Sequence, residues 1–443
     1  MKITFVKPNI GRLEHSLYVD QGRMEPLMLG VLAGLTPPDV ECVLIDDRIE
    51  PMRYDEATDL VAITVETFTA RRAYEIAAEY RARGVPVILG GMHVSLLPDE
   101  AAMHADSLFI GDAETLWAQV VDDARQHRLR ARYQAAPGPA QLGGCLPRRD
   151  LFKGKGYLPI SLLQFVRGCR YACKFCAVAR YFDRQHHVRA IDAVLREIEA
   201  QDRRMLFFVD DNIASDHAAL ADLCRALEPM KVRWVSQASL DITRNPKLMD
   251  LLERAGNWGN VIGFESITPA SLRDGKKSPN LPDFSGYRDE IRILREHGMQ
   301  TWAAFTLGYD HDTEASIAAT ADFALEHKFA FAAFNILMPY PNTPLYEQLA
   351  REDRLLYDGR WWLHPDYRFN HAAFLPQHLD ADALTAACHT ARTRFNSLAG
   401  IARRFSDPRT HWRSLARVAA FASYSLLFRR EVQRKHGMRF GLR

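Results

Sequence analysis

From its first residues the chain alternates short apolar runs with longer stretches in which apolar positions recur every three or four residues. In the first third the runs are Ile3 to Val6, Cys42 to Ile45, Leu60 to Val65, Val85 to Leu89 and Ser107 to Ile110. Short runs bounded by turn residues read as strands, and the amphipathic stretches between them read as helices. Ala70 to Arg83 is one such helix, with Ala73, Ile76, Ala77 and Tyr80 on one face. This alternation predicts an α/β domain over residues 1–134, a Rossmann-like or flavodoxin-like parallel sheet covered by helices. Ligands of such sheets sit at the carboxyl ends of the strands.

Between residues 135 and 160 the composition shifts to Pro, Gly and basic residues, which predicts a linker crossing the surface. The alternation resumes over 161–355, with strands at Leu162 to Val166, Met205 to Val209, Arg233 to Gln237, Val261 to Glu265, Thr301 to Leu307 and Phe331 to Met338. Helices fall between them, for example Val188 to Ala200. Six such units predict a partial (β/α)6 barrel of the TIM type, with its chemistry at the carboxyl ends of the strands. From 356 to 443 the pattern is that of a helical and aromatic C-terminal region. The aromatic stretch beginning at Trp361 either lines a substrate cavity or serves plain packing.

Composition changes this picture little. A chain of 443 residues with 47% apolar and 25% charged residues is an ordinary globular protein of two or three domains. The formal charge of +2 offers no electrostatic footprint for nucleic acid. Cys42, Cys145, Cys224 and Cys388 follow no pairing pattern, so a reducing cytoplasm is the expected setting. The N-terminus enters a strand directly, without a signal peptide, and no apolar stretch is long enough to span a bilayer. The nearest approach is Val418 to Phe428, which with the arginines around it reads in two ways. It is either an amphipathic segment making peripheral contact with an anionic membrane or a helix packed on the barrel with a solvated basic face.

The chemistry is concentrated in Arg167-Gly-Cys169-Arg-Tyr-Ala-Cys173-Lys-Phe-Cys176, three cysteines spaced C-x3-C-x2-C. Three thiolates hold three corners of a four-iron cluster and leave one iron open. A zinc site, the other reading, usually takes a fourth Cys or His and paired C-x2-C spacings, and no second pair exists here.

This spacing, with Phe175 before the last cysteine, resembles the cluster motif of the radical S-adenosylmethionine (SAM) superfamily. The resemblance implies that Cys169, Cys173 and Cys176 ligate a 4Fe–4S cluster whose open iron chelates the amino and carboxylate groups of SAM. An electron then splits the sulfonium to release a 5′-deoxyadenosyl radical, which calls for an external donor of flavodoxin or ferredoxin type. In the family the ends of the second and fourth barrel strands bind the SAM amino group and ribose. The corresponding segments are Phe208-Val-Asp-Asp211-Asn and Gly263-Phe-Glu265-Ser266, so Asp211, Glu265 and Ser266, with Gln237 and Phe175, are the expected SAM contacts. Asp and Asn are also preferred helix N-caps, so both roles stand for the Asp210–Asp211 pair.

The first third resembles the N-terminal domain of cobalamin-binding radical SAM proteins through Gly90-Gly91-Met-His93 and Gly111-Asp-Ala-Glu114. It implies cobalamin contacts at Thr67, Gly90, Gly91, His93, Gly111 and Glu114. The D-x-H-x-x-G motif, whose histidine ligates cobalt in many cobalamin domains, is absent, and Asp46-Asp-Arg-Ile-Glu50 stands where it would fall. Cobalamin would then bind without that ligand, or the domain has kept its shape and lost the cofactor. For His93 a hydrogen-bonded turn residue is the competing reading.

The expected function is methylation of an unactivated carbon on a small organic or lipid substrate, with cobalamin as methyl carrier. The alternative is a radical rearrangement, cyclisation or oxidation with no corrin bound.

Overall fold

The computed structural model describes residues 1–11, 23–136, 144–282, 284 and 286–442. The chain divides into two compact units, the first comprising Met1–Leu158, Arg360–Phe369 and Met438–Arg443, the second Pro159–Gly359 and Asn370–Gly437. The region from residue 356 onward is thus shared between them, and 137–143 of the expected linker lie outside the described residues.

In the first unit, strands β1 (Lys2–Lys7), β2 (Glu41–Asp46), β3 (Leu60–Thr64), β4 (Val87–Gly90), β5 (Ser107–Ile110) and β6 (Arg132–Gln134) form one parallel sheet in the order β2-β1-β3-β4-β5-β6. The order reverses between β1 and β3, as in doubly wound sheets, and Ile3, Phe5, Leu60 and Val61 are fully buried. The sixth strand has no apolar run to announce it. Its anchor is Tyr133, buried and donating to Asp123 at 2.8 Å.

Residues 144–158, expected on the surface, pack into this unit. Phe152 is buried in its core, and the Tyr157 hydroxyl donates to Asp46 at 2.8 Å. The aromatic stretch is packing as well. Trp361 and Tyr367 are fully buried, with Phe68 5.0 Å from Trp361 and Phe440 5.0 Å from Tyr367, ring centre to ring centre.

The second unit is built on β7 (Ser161–Leu163), a hairpin of β8 (Val166–Gly168) and β9 (His186–Val188), and β10 (Met205–Phe208), β11 (Arg233–Ala238), β12 (Asn257–Glu265), β13 (Trp302–Leu307) and β14 (Phe331–Ile336). Six of these form a parallel sheet in the order β14-β13-β12-β11-β10-β7, and β8 pairs with β9 antiparallel. The predicted strand Leu162 to Val166 is therefore split, because the Phe165 amide leaves the ladder to donate to Asp210 at 2.7 Å. Val188 belongs to the hairpin, so the helix predicted from there starts at Ile191.

Behind the sheet, Phe264, Phe305 and Phe334 stack in sequence with ring centres 5.8 and 5.5 Å apart. The helix Ala381–Phe395 ends where the Ser397 side chain caps a new helix, Leu398–Phe405. A final helix spans Leu415–Lys435.

Candidate active site

Cys169 follows directly on β8, and Gly168 makes the turn possible. Its φ is +85°, and a Cβ there would lie 2.3 Å from the Gln185 carbonyl oxygen. Four aspartates hold the chain from Phe165 through Lys174. Asp210 accepts from the Phe165 amide at 2.7 Å, and Asp211 from the Gly168 amide at 2.7 Å. Asp241 accepts from the Tyr171 hydroxyl at 2.7 Å and from Arg170 at 3.1 Å, and Asp274 from Lys174 at 2.7 Å. Asn212 places its side-chain amide 3.7 Å from Cys169 Sγ. The N-cap at the following helix, His217–Leu227, is Asp216, which leaves the Asp210–Asp211 pair to the cysteine segment.

Burial pushes the Cys173 thiol up to about 12, and the positive charge of Lys277 opposes it. Burial also raises Cys176, against the pull of the Ala179 and Val178 amides and of Lys277. Metal binding requires these thiols as thiolates, so cationic and N–H neighbours are what such a ligand set needs. Among the described residues no three His, Cys, Asp or Glu side chains close around a single ion.

Lys277 is the residue that sequence reasoning missed. Burial works against its charge, but Glu265 and Cys173 hold the ammonium well above the ordinary lysine range. Its Nζ lies 2.9 Å from Glu265 Oε1, while Glu265 Oε2 accepts from the Thr306 hydroxyl at 2.7 Å. Glu265 ends β12 with φ +62°, where the register against β13 shifts, and is 7% exposed. A buried carboxylate is tolerable because it is paired. Nearby, the Tyr309 ring meets Phe175 edge to face at 6.2 Å. The Tyr309 hydroxyl is buried with no hydrogen-bond partner among the described residues, and burial, Glu265 and Cys173 all raise its pKa.

The structure thus gathers Cys169, Cys173, Cys176, Phe175, Asp211 and Glu265 around the cysteine segment. Gln237 lies half-buried at the end of β11. Ser266 serves the turn after β12, its hydroxyl accepting from the Thr268 amide at 3.1 Å.

In the first unit the residues expected to meet cobalamin fall at the carboxyl ends of β3, β4 and β5. Gly91 has φ +106°, and a Cβ would lie 2.8 Å from the Val65 carbonyl oxygen. Next to it Gly90 ends β4. The Gly111 amide donates to Ser95 Oγ at 2.9 Å, and Glu114 sits half-buried in the turn Ala113–Thr115.

His93 is fully buried, with Nδ1 3.3 Å from the Thr67 hydroxyl and Nε2 3.1 Å from Glu100. Glu100 also accepts from Tyr74 and Trp362, each at 3.1 Å. Both nitrogens of His93 are therefore engaged inside the unit. Asp46 and Asp47, where the cobalt-ligand motif would fall, are equally committed. Arg48 reaches Asp46 at 2.7 Å, and Arg72 holds Asp47 at 2.9 and 3.0 Å.

Three cysteines on one segment, beside Lys277 at the carboxyl ends of a parallel sheet, are the donor set that an iron–sulfur cluster with one iron free for a small ligand would need. Residues 163–324 match the radical SAM superfamily. The chain is 29% identical over 385 residues, 83% of its length and 82% of the relative's, to bacteriochlorophyllide d C-12(1)-methyltransferase of Chlorobaculum tepidum. It is 24% identical to hopanoid C-2 methylase of Rhodopseudomonas palustris, covering 79% of this chain and 68% of that one.

Among solved structures, its fold is that of the radical SAM methyltransferase TsrM from Kitasatospora setae, with a TM-score of 0.61, 17% identity, and 79% and 75% of the two chains covered. The cobalamin-dependent SAM radical enzyme OxsB gives a TM-score of 0.65 at 15% identity, covering 97% of this chain and 71% of that one. Residues 163–324 thus form a radical SAM domain, and the chain as a whole shares its fold with these two enzymes. A 4Fe–4S cluster and SAM are accordingly its cofactors.

Proposed function

We propose that this chain is a C-methyltransferase that acts on an unactivated carbon of a polycyclic small molecule, a tetrapyrrole or a polycyclic lipid. On this reading residues 1–134 are a Rossmann-like domain that carries cobalamin, 161–355 are a partial barrel, and the setting is the cytoplasm. When bound, the cluster and SAM supply one-electron cleavage of the sulfonium, and cobalamin supplies a methyl carrier.

The chain's own residues do the rest. Cys169, Cys173 and Cys176 anchor the cluster on a segment fixed by the four aspartates. Lys277 receives the SAM carboxylate, Glu265 accepts from the ribose or ammonium, and the unpartnered Tyr309 hydroxyl supplies a further donor. An external flavin or iron–sulfur protein delivers the electron. Support for methyl transfer comes from the relatives, a bacteriochlorophyllide methyltransferase and a hopanoid methylase.

The observation that carries the proposal is the Glu265–Lys277 pair set against the three-cysteine motif, a buried charge pair close enough to Cys173 to act on its thiol. Anaerobic protein reconstituted with iron and sulfide, given a reductant and methyl-labelled SAM, should form 5′-deoxyadenosine and place the label on an added tetrapyrrole or polycyclic lipid. Formation of 5′-deoxyadenosine without label transfer to any substrate would remove the methyl step.

A second reading, radical oxidation or cyclisation with no corrin, is favoured by one observation. His93, Asp46 and Asp47 are all committed within the fold, so none of the three would be available to hold a corrin. Retention of cobalamin through gel filtration would speak against it.

A further inference from the structure

The last helix, Leu415–Lys435, turns Arg417, Phe421 and Ser425 inward. Phe421 stacks against Phe405 at 5.7 Å and Phe331 at 6.0 Å, and Arg417 donates to the Trp258 carbonyl. Its opposite face has the wrong chemistry for water. Leu415 is 88% exposed and Leu426 50% exposed, and with the exposed Ala419 and Ala422 they share one stripe at helical spacing. Exposed positions from Leu415 to Leu426 carry no charge, whereas a helix packed on a globular core normally turns charged residues to solvent.

Trp412, one turn before Leu415, is 57% exposed. The stripe is flanked by exposed arginines, Arg403 and Arg409 before it and Arg429 and Arg430 after it. From Leu398 to Arg430 the sequence has one acidic residue, Asp407, and it is buried against Arg295 at 2.9 Å. On the neighbouring elements Glu253 is paired with Arg413, and Asp322 with Arg394.

We infer that this face lies on an anionic lipid surface. A tryptophan and leucines that enter the headgroup region, bordered by unopposed arginines, are the chemistry of an interfacial helix. No described helix is long and apolar enough to cross a membrane, so the contact is peripheral. A second copy of the chain would carry the same positive charge to the contact, which disfavours self-association through it. The inference stands apart from the proposed methyl transfer, since vesicle binding is read without turnover.

The test uses the full, cluster-reconstituted chain in flotation with phosphatidylcholine vesicles, with and without phosphatidylglycerol. Binding should require the anionic lipid and weaken at high salt. The double variant Leu415→Asp, Leu426→Asp and the triple variant Arg403→Glu, Arg409→Glu, Arg430→Glu should each lower partitioning roughly tenfold or more with an unchanged thermal transition. Absence of flotation with anionic vesicles would overturn the assignment, as would equal binding to neutral ones. So would a dimer in gel filtration that either variant converts to monomer.

Discussion

At the scale of single residues, replacing Cys169, Cys173 or Cys176 by Ala should abolish 5′-deoxyadenosine formation while the far-ultraviolet circular dichroism is retained, because on the proposed reading the open iron depends on three thiolates. C-x3-C-x2-C is a local pattern, and each thiolate needs only its own segment to be recognised. Lys277 stands twelve residues from Glu265 in an unremarkable run of polar residues, and Asp241 is 70 residues from the Tyr171 it binds. Their roles exist only once the chain is folded. For Lys277→Met we expect iron content close to that of the parent and SAM binding weakened roughly ten- to hundredfold, the loss of a charge-assisted contact worth about 1.5–3 kcal/mol. Unchanged SAM affinity by equilibrium dialysis would remove Lys277 from the site.

At the scale of elements, strands defined by unbroken apolar runs were placed within a few residues, because their period follows from burial. β6 and the break after β7 were not foreseen. The first rests on one tyrosine–aspartate bond and the second on a backbone amide drawn to Asp210. The hairpin that presents the cysteines depends on a positive φ at Gly168, so Gly168→Ala should cost about 2 kcal/mol or more and lower the iron retained after reconstitution. The docking of the C-terminal helices carries a pH signature. His411 is fully buried over Phe421, and burial lowers it to about 4, with Asp407 opposing and Arg404, Arg417 and Arg295 reinforcing the shift.

Below the ordinary histidine pKa of about 6.5, the unfolded chain takes up a proton that the folded chain refuses until about pH 4. The stability linked to this group is therefore intact above pH 6.5 and declines as pH falls towards 4, by up to about 3 kcal/mol. Chemical denaturation across that range should show the decline, and His411→Gln should flatten it.

At the scale of the whole molecule, two parallel sheets in sequence were readable from the alternation of strands and helices. The return of the chain to the first unit was not. Arg360–Phe369 and Met438–Arg443 belong to that unit, and their aromatic residues read equally well as a cavity lining until Trp361, Tyr367 and Phe440 are seen buried together. The residues expected to meet cobalamin show the same limit from the other side. Glycines at strand ends can be recognised, but only the fold reveals that His93 is tied to Thr67 and Glu100.

The central claim is that three thiolates leave one iron open to SAM, and electron–nuclear spectroscopy of the reduced, reconstituted protein with isotope-labelled SAM tests it most directly. Hyperfine coupling from the labelled amino nitrogen and carboxylate oxygen, on a chain with about four irons, is the predicted result. A chain that holds zinc with no iron, or a cluster that shows no coupling to SAM, would contradict it.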